Sequence, residues 1–400
     1  MQKEKFRNKT DLRICVVDFP YPKRVRHSYK FTYNLVRILK NVASTQYIIS
    51  DNLAEYKIND KNIHLREIGI APHFLRDIKP KWFSLLLWIF KNILIQLRIC
   101  INLLKVSKKV DVVIFFMMLP YTEVLPMFFA KLLGKVIIKV PLGVAPRDRI
   151  YAPFVYKLFE KMSLCLSDYY IPEYETNTKQ LKRYEQLKYP QKLLPAAHFF
   201  VLEDEFKIMK TINERENVVG YIGGFREIKG IVNFVKAIPL VLNKDNEIRF
   251  LIAGEGVLKN EIEKLIRKYP ENKVTLIDWI PHEEVPKYLN ELKLLVIPSY
   301  SEGVPNIAIE AMACGTPILS TKVGVIPMLI QNGKNGFILE DNSPECIASS
   351  IIEVLSRGNS YLKKIANNAR YLIDEKYKFH SIVERWRRIL NEIDKNLLAD

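Results

Sequence analysis

Between Val218 and Pro298, four short runs rich in branched apolar residues alternate with amphipathic stretches: Val218–Ile222, Arg249–Ala253, Val274–Ile277 and Leu294–Pro298. Such runs, each followed by a segment of helical period, are the pattern of parallel strands joined by helical crossovers. The crossover helices are expected at Ile231–Leu242, Glu261–Lys268 and Glu283–Leu289. A parallel sheet buries both faces under helices, so this half of the chain reads as a doubly wound α/β domain.

The first half carries the same signal more faintly. Arg13–Asp18, Val110–Phe116 and Val136–Val140 read as buried strands, with helical stretches between them. A chain of 400 residues suits two such domains of about 200 residues each. We place them at 1–200 and 201–375, joined near Lys192–Asn217, where both periods fade. The basic, aromatic stretch Tyr377–Ile393 reads as a last helix, and 376–400 is expected to pack back toward the first domain.

Charge is placed unevenly. Residues 1–200 hold 34 Lys and Arg against 16 Asp and Glu, or +18, whereas 201–400 hold 27 against 28. The first half therefore favours an anionic partner: a phosphorylated substrate, a membrane surface or nucleic acid. No nucleic-acid reader motif accompanies the charge, so nucleic acid is not expected as a partner. The five cysteines are scattered without a CxxC pair or a nearby histidine, which excludes a disulfide framework and a zinc motif. Near the N-terminus the apolar run Ile14–Val17 is too short for a signal peptide, so the expected location is the cytoplasm.

The most informative segment is VIPSYSEGVPNIAIEAMACGTPILSTKVG, Val296–Gly324. A strand should end at Pro298, a loop follow, and a helix begin near Pro305 and stop before Gly315. Ligands of open α/β sheets bind beyond the carboxyl ends of strands, and unpaired N–H groups at Val304, Asn306 and Ile307 would suit a diphosphate. Glu302 and Glu310 flank that start; on one helix they would lie about 12 Å apart, too far to act as the paired carboxylates of a glycosidase. They can instead hold hydroxyls at two ends of one long ligand.

Glu302-x7-Glu310 within PSYSEGVPNIAIEAMACGTPI resembles the signature of family 4 retaining glycosyltransferases, closely over Val218–Leu339 and in outline elsewhere. The resemblance implies a GT-B fold, two Rossmann-like domains facing across a cleft. It implies that Glu310 holds the donor ribose, while Glu302 and the amides of Gly303, Val304, Pro305–Asn306 and Ile307 receive the sugar and diphosphate. Lys229, in YIGGFREIKG, matches the lysine that grips the diphosphate. That stretch also supplies Gly223 and Gly224, and IAGEG supplies Gly254 and Gly256. The turn Asp278–Ile280, ending at Ile280, matches the one whose main chain reads the base. The co-substrate would be a UDP- or GDP-sugar and the acceptor a glycan or lipid-linked glycan. With no DxD motif, neither a cofactor nor a metal is expected.

The chain departs from the family at three places. Gly224 stands where an arginine is usual, leaving Arg226 either to replace it or to lie idle on the surface. Leu142 precedes Gly143 where a His-Gly pair is usual, and the first loop is basic, with Lys23, Arg24, Arg26 and His27, instead of Gly-Gly. Val325 and Met328 stand where Gly and Glu are common. These losses keep two rivals open: an epimerase acting on the nucleotide sugar itself, and an inactive binding subunit.

Lys81–Lys105 is the most hydrophobic stretch. On a helical wheel Lys81, Ser84, Lys91, Asn92, Gln96, Arg98, Asn102 and Lys105 share one half, with Trp82, Leu86, Trp88, Ile89, Phe90, Ile93 and Leu97 mostly on the other. Lys91 and Arg98 count against a transmembrane span. Two readings remain: a core helix over the first sheet, or an interfacial helix on anionic lipid at the inner face of the membrane.

Overall fold

The structure is a computed structural model that describes residues 10–18, 28–50, 60–69, 81–116, 118–141, 153–172, 193–195 and 199–399. Lys23, Arg24, Arg26, His27 and Gly143 lie outside the described residues. Two compact units divide the chain: residues 1–198 together with 382–400, and the continuous piece 199–381.

In the first unit, β1 (Thr10–Asp18), β2 (Ala43–Ile49), β3 (Ile63–Arg66), β4 (Val112–Phe116), β5 (Val136–Val140) and β6 (Tyr169–Tyr170) form a parallel sheet in the order β3-β2-β1-β4-β5-β6. Its helices are α1 (Ser28–Leu39), α2 (Lys81–Val106), α3 (Pro120–Leu132) and α4 (Pro153–Leu166). Strand β4 and the Ile14–Val17 run of β1 are wholly apolar and buried, as a sheet covered on both faces requires. A fully buried ion pair fastens the helices to it: the Lys139 ammonium on β5 donates to Glu123 of α3 and to the Ser163 hydroxyl of α4.

Helix α2 has two apolar faces where the helical wheel implied one. Ile95, Ile99, Leu103 and Val106 are buried against the sheet, while Phe90, Ile93 and Leu97, which the wheel placed on its apolar half, point outward. Asn92 and Asn102, expected on the polar half, are buried instead, Asn102 donating to the Glu67 carbonyl at 3.3 Å. The sheet covers the Ile95–Val106 stripe, and the Asn102 hydrogen bond offsets the cost of burying that amide. The side chains of Trp82, Leu86 and Trp88 are outside the described residues.

The second unit repeats the plan with β7 (Val218–Ile222), β8 (Arg249–Ala253), β9 (Val274–Ile277), β10 (Leu294–Ile297), β11 (Ile318–Thr321) and β12 (Phe337–Leu339). Their order, β12-β11-β10-β7-β8-β9, becomes 3-2-1-4-5-6 when counted from β7, the same as the first sheet and that of dinucleotide-binding folds. Helices α5 (Ile231–Leu242), α6 (Lys259–Ile266), α7 (Val285–Glu291), α8 (Asn306–Ala313), α9 (Ile326–Leu329), α10 (Pro344–Ser356) and α11 (Gly358–Lys376) surround it. Helix α12 (Phe379–Ala399) starts in this unit and carries Trp386, Leu390 and Ile393, all buried, in the first. Residues 199–217, where sequence periods fade, are tied to the second unit: the Asn290 side chain accepts from the Met209 N–H at 2.7 Å.

Candidate active site

The strand order of the second sheet reverses between β7 and β10, which pair directly and in parallel. Their carboxyl ends open the crevice where α/β sheets take ligands. Two loops meet there. After β7 the chain runs through Gly223, Gly224, Phe225 and Arg226 into a single 3₁₀ turn, Glu227–Lys229, and then α5. After β10 it runs through Ser299–Pro305 into α8.

The loops are stitched together backbone to backbone. Tyr300 N–H donates to the Ile228 carbonyl at 2.9 Å. Gly230, at φ 67°, lies so close to Pro298 that a β-carbon there would meet the Pro298 oxygen at 1.9 Å. Only glycine satisfies both the left-handed backbone and that approach. Gly254 is similarly pressed on the first loop, its missing β-carbon 1.9 Å from the Gly223 oxygen. Gly256 accepts the Lys259 N–H at 3.1 Å and so opens α6.

This stitching brings Lys229 and Glu302 together. The ammonium donates to both carboxylate oxygens, at 2.7 and 2.6 Å, and the Ser299 hydroxyl donates to one of them at 2.7 Å. Glu302 is almost buried, its side chain 7% exposed, whereas Lys229 keeps 24%. Gly303 accepts the Val325 N–H at 3.1 Å, which fixes the loop beneath the helix start. Pro305 is the N-cap of α8, with no side chain capping the first turn. Asn306 and Ile307, half-buried, therefore open the helix with N–H groups that the helix itself does not use.

At the other end of α8 two guanidinium groups take the free carbonyls. Arg215, buried, donates to Cys314 O at 2.7 Å and to Leu292 O and Thr316 Oγ1 at 2.8 Å each, and Arg370 donates to Ala313 O. Burial pulls the Arg215 guanidinium down to about 10. Two cations at the C-terminal end complement the helix dipole and seat the positive end at the crevice.

Glu310, one helix turn further in, is buried and meets His282 Nε2 at 2.8 Å through Oε1. His282 lies just beyond the turn after β9, where Ile280 is buried, Trp279 is exposed and Asp278 pairs with Lys259 at 2.6 Å. Arg226 is exposed and its guanidinium lies over Gly224, whose carbonyl accepts the Tyr221 hydroxyl at 2.9 Å. Burial, then the charge of Glu302, pushes the Tyr221 phenol well above its usual range. A cavity of about 480 Å³ opens beside the junction, lined in part by Glu227, Glu261 and Tyr300. Its two carboxylates suit an anion poorly, so the anion-binding elements are Lys229 and the start of α8.

Thus the structure groups Gly223, Gly224, Lys229, Glu302, Gly303, Val304, Pro305, Asn306 and Ile307 at one crevice, with Glu310 behind them. Lys91 and Arg98, on α2, belong to the first unit. Sequence reasoning missed Ser299, His282 and Arg215. PHEEV offered a histidine one residue past a proline, yet nothing local ties it to a glutamate 28 positions away.

Known proteins share this fold. HepE of Anabaena, solved in complex with UDP, superposes with a TM-score of 0.73 over 95% of this chain and all of its own, at 13% identity. The fold is GT-B. Residues 203–371 match the model of the family described as glycosyl transferases group 1. An uncharacterised glycosyltransferase of Methanocaldococcus jannaschii is 28% identical over 173 residues, 43% of this chain and 47% of that protein. The poly(ribitol-phosphate) alpha-N-acetylglucosaminyltransferase of Staphylococcus aureus is 31% identical over 180 residues, 44% of this chain and 36% of its own. The chain spans less than half the length of these two curated relatives. In each case the shared part has the size of the GT-B unit that holds the crevice.

Proposed function

We propose that the chain is a retaining glycosyltransferase that takes its sugar from a nucleoside diphosphate bound at the β7–β10 crevice. The observation that carries this is the Lys229–Glu302 pair at the uncapped start of α8. An ammonium and a set of helix-start N–H groups converge where a diphosphate would lie, and a carboxylate beside them offers two acceptors to sugar hydroxyls. The UDP held by HepE and the glycosyl transfer named for the relatives support this reading.

In this reading the leaving diphosphate gains charge as the glycosidic bond breaks. Lys229 and the N–H groups of Asn306 and Ile307 meet that charge, so transfer needs no metal. Glu302 releases Lys229 to the phosphate as its own oxygens accept sugar hydroxyls. Glu310, oriented by His282, accepts from the ribose. The departing phosphate assists the acceptor hydroxyl from the same face, which retains the anomeric configuration. The acceptor is a glycan or lipid-linked glycan.

Slow donor hydrolysis by the purified protein across a panel of UDP- and GDP-sugars tests this, with Glu310→Ala and Lys229→Ala alongside. Consumption of one donor, lost in both variants, is expected. If no donor is consumed or bound, the transferase reading fails and an inactive binding subunit replaces it.

A further inference from the structure

The first unit has a surface that donor chemistry does not use. On α2, Phe90, Ile93, Leu97, Ile101 and Leu104 recur at spacings of three and four and form one stripe on the side opposite the core. They are not packed: Phe90 is 60% and Leu104 55% exposed. Leu125, Phe128 and Leu132 make a second exposed stripe on α3, with Leu132 at 68%. Leu158 and Met162, four apart, continue it on α4.

These stripes adjoin. Gln96 of α2 accepts the Leu125 N–H of α3 at 3.4 Å, and the buried Lys139 binds α3 and α4 at once through Glu123 and Ser163. Three neighbouring helices therefore present one apolar face, larger than the scattered exposed leucines of an ordinary surface.

Charge selects what covers it. Helix α2 contains no Asp or Glu; Arg98 and Lys105, both exposed, run along one edge of its stripe. Exposed Lys157 and Lys161 stand beside Leu158 and Met162 on α4. A second copy of the same face would bring cation to cation. An anionic bilayer surface satisfies both features, accepting apolar side chains at the acyl boundary and lysine and arginine at the headgroups. Among the described residues no helix is long and apolar enough to cross a membrane. The surface is thus suited to lying on lipid.

We propose that the outer face of α2, α3 and α4 docks the protein on an anionic lipid surface. This goes beyond the transferase reading and does not depend on it. The test is co-sedimentation of the full chain with vesicles of phosphatidylcholine alone, and of phosphatidylcholine with about one-third phosphatidylglycerol, at low and high salt. Binding to the anionic vesicles, at least about tenfold tighter than to neutral ones and weakened by salt, is expected. Leu97→Glu with Ile101→Glu should abolish it. Arg98→Ala with Lys105→Ala should weaken it by about tenfold or more, at roughly fivefold per cation. These side chains are exposed, and unchanged thermal unfolding and circular dichroism would show that each variant still folds. Failure of the wild type to sediment with anionic vesicles, or binding indifferent to both double variants, overturns the proposal. A wild-type dimer that Leu97→Glu with Ile101→Glu converts to monomer, without lipid binding, would assign the face to a second copy instead.

Discussion

Lys229→Met tests how far the site depends on one ion pair. The substitution removes two charge-assisted hydrogen bonds, at 2.7 and 2.6 Å, and leaves Glu302 nearly buried with the Ser299 hydroxyl as its neighbour. An exposed pair contributes under about 1 kcal/mol, whereas breaking a buried one costs about 3–5 kcal/mol. With one partner covered and the other a quarter open, a loss of about 2 kcal/mol is expected. For a domain the size of the second unit that lowers the midpoint by about 4–8 °C. Nucleotide binding should suffer separately. A lost charged hydrogen bond to the diphosphate is worth about 1.5–3 kcal/mol, or roughly 10- to 100-fold in affinity. Scanning calorimetry and titration with UDP and GDP measure the two effects. Adding Glu302→Gln removes the stranded carboxylate, so the double variant should recover most of the stability and none of the affinity. A Lys229→Met protein with both midpoint and affinity unchanged would refute the reasoning, as would a double variant that regains affinity.

Gly230→Ala places a β-carbon against the Pro298 oxygen at φ 67°; a loss of about 2 kcal/mol or more in urea unfolding is expected, with nucleotide affinity reduced as the two loops part. Arg215→Met strands the carbonyls at the end of α8 and should cost about 3 kcal/mol, read from the same urea midpoint. Burial alone would raise the Asp111 carboxyl, but hydrogen bonds from Arg13 outweigh it and hold the group below its ordinary value of 3.8. Its contribution is therefore present above pH 3.8 and lost as the pH falls below that value, so Asp111→Asn should flatten the loss of stability that sets in below about pH 3.8.

The legible parts of this protein are those that local pattern determines. Val218–Ile222, Arg249–Ala253 and Val274–Ile277 are strands at their expected limits, because an apolar run between turn residues has one good use in a parallel sheet. The start of α8 followed from Pro305, and the crevice from the junction before it. The sequence reading passed over β2, β3, β6, β11 and β12; of these, β6 and β12 have two and three residues, too few to carry a period. The His282–Glu310 contact and the Arg215 network join positions 28 to 101 apart, which no local rule reaches. Helix α2 misled for a different reason: its leucines and isoleucines are abundant enough for two faces, and only the sheet shows which one is inside.

The route of the chain has a consequence for its synthesis. The second unit is one continuous piece, 199–381, whereas the first is assembled from residues 1–198 and 382–400. Trp386, Leu390 and Ile393 are buried, and Asn396 reaches back to the Tyr169 hydroxyl at 2.9 Å. On the ribosome residues 1–198 must therefore wait for 382–400, which are made after the second unit, while the second unit has every residue it needs once 381 is reached. The nascent first unit, with its exposed leucines and its core still lacking Trp386, is the stage at which chaperone help matters most, and the nucleotide-binding unit is the part that can mature unaided.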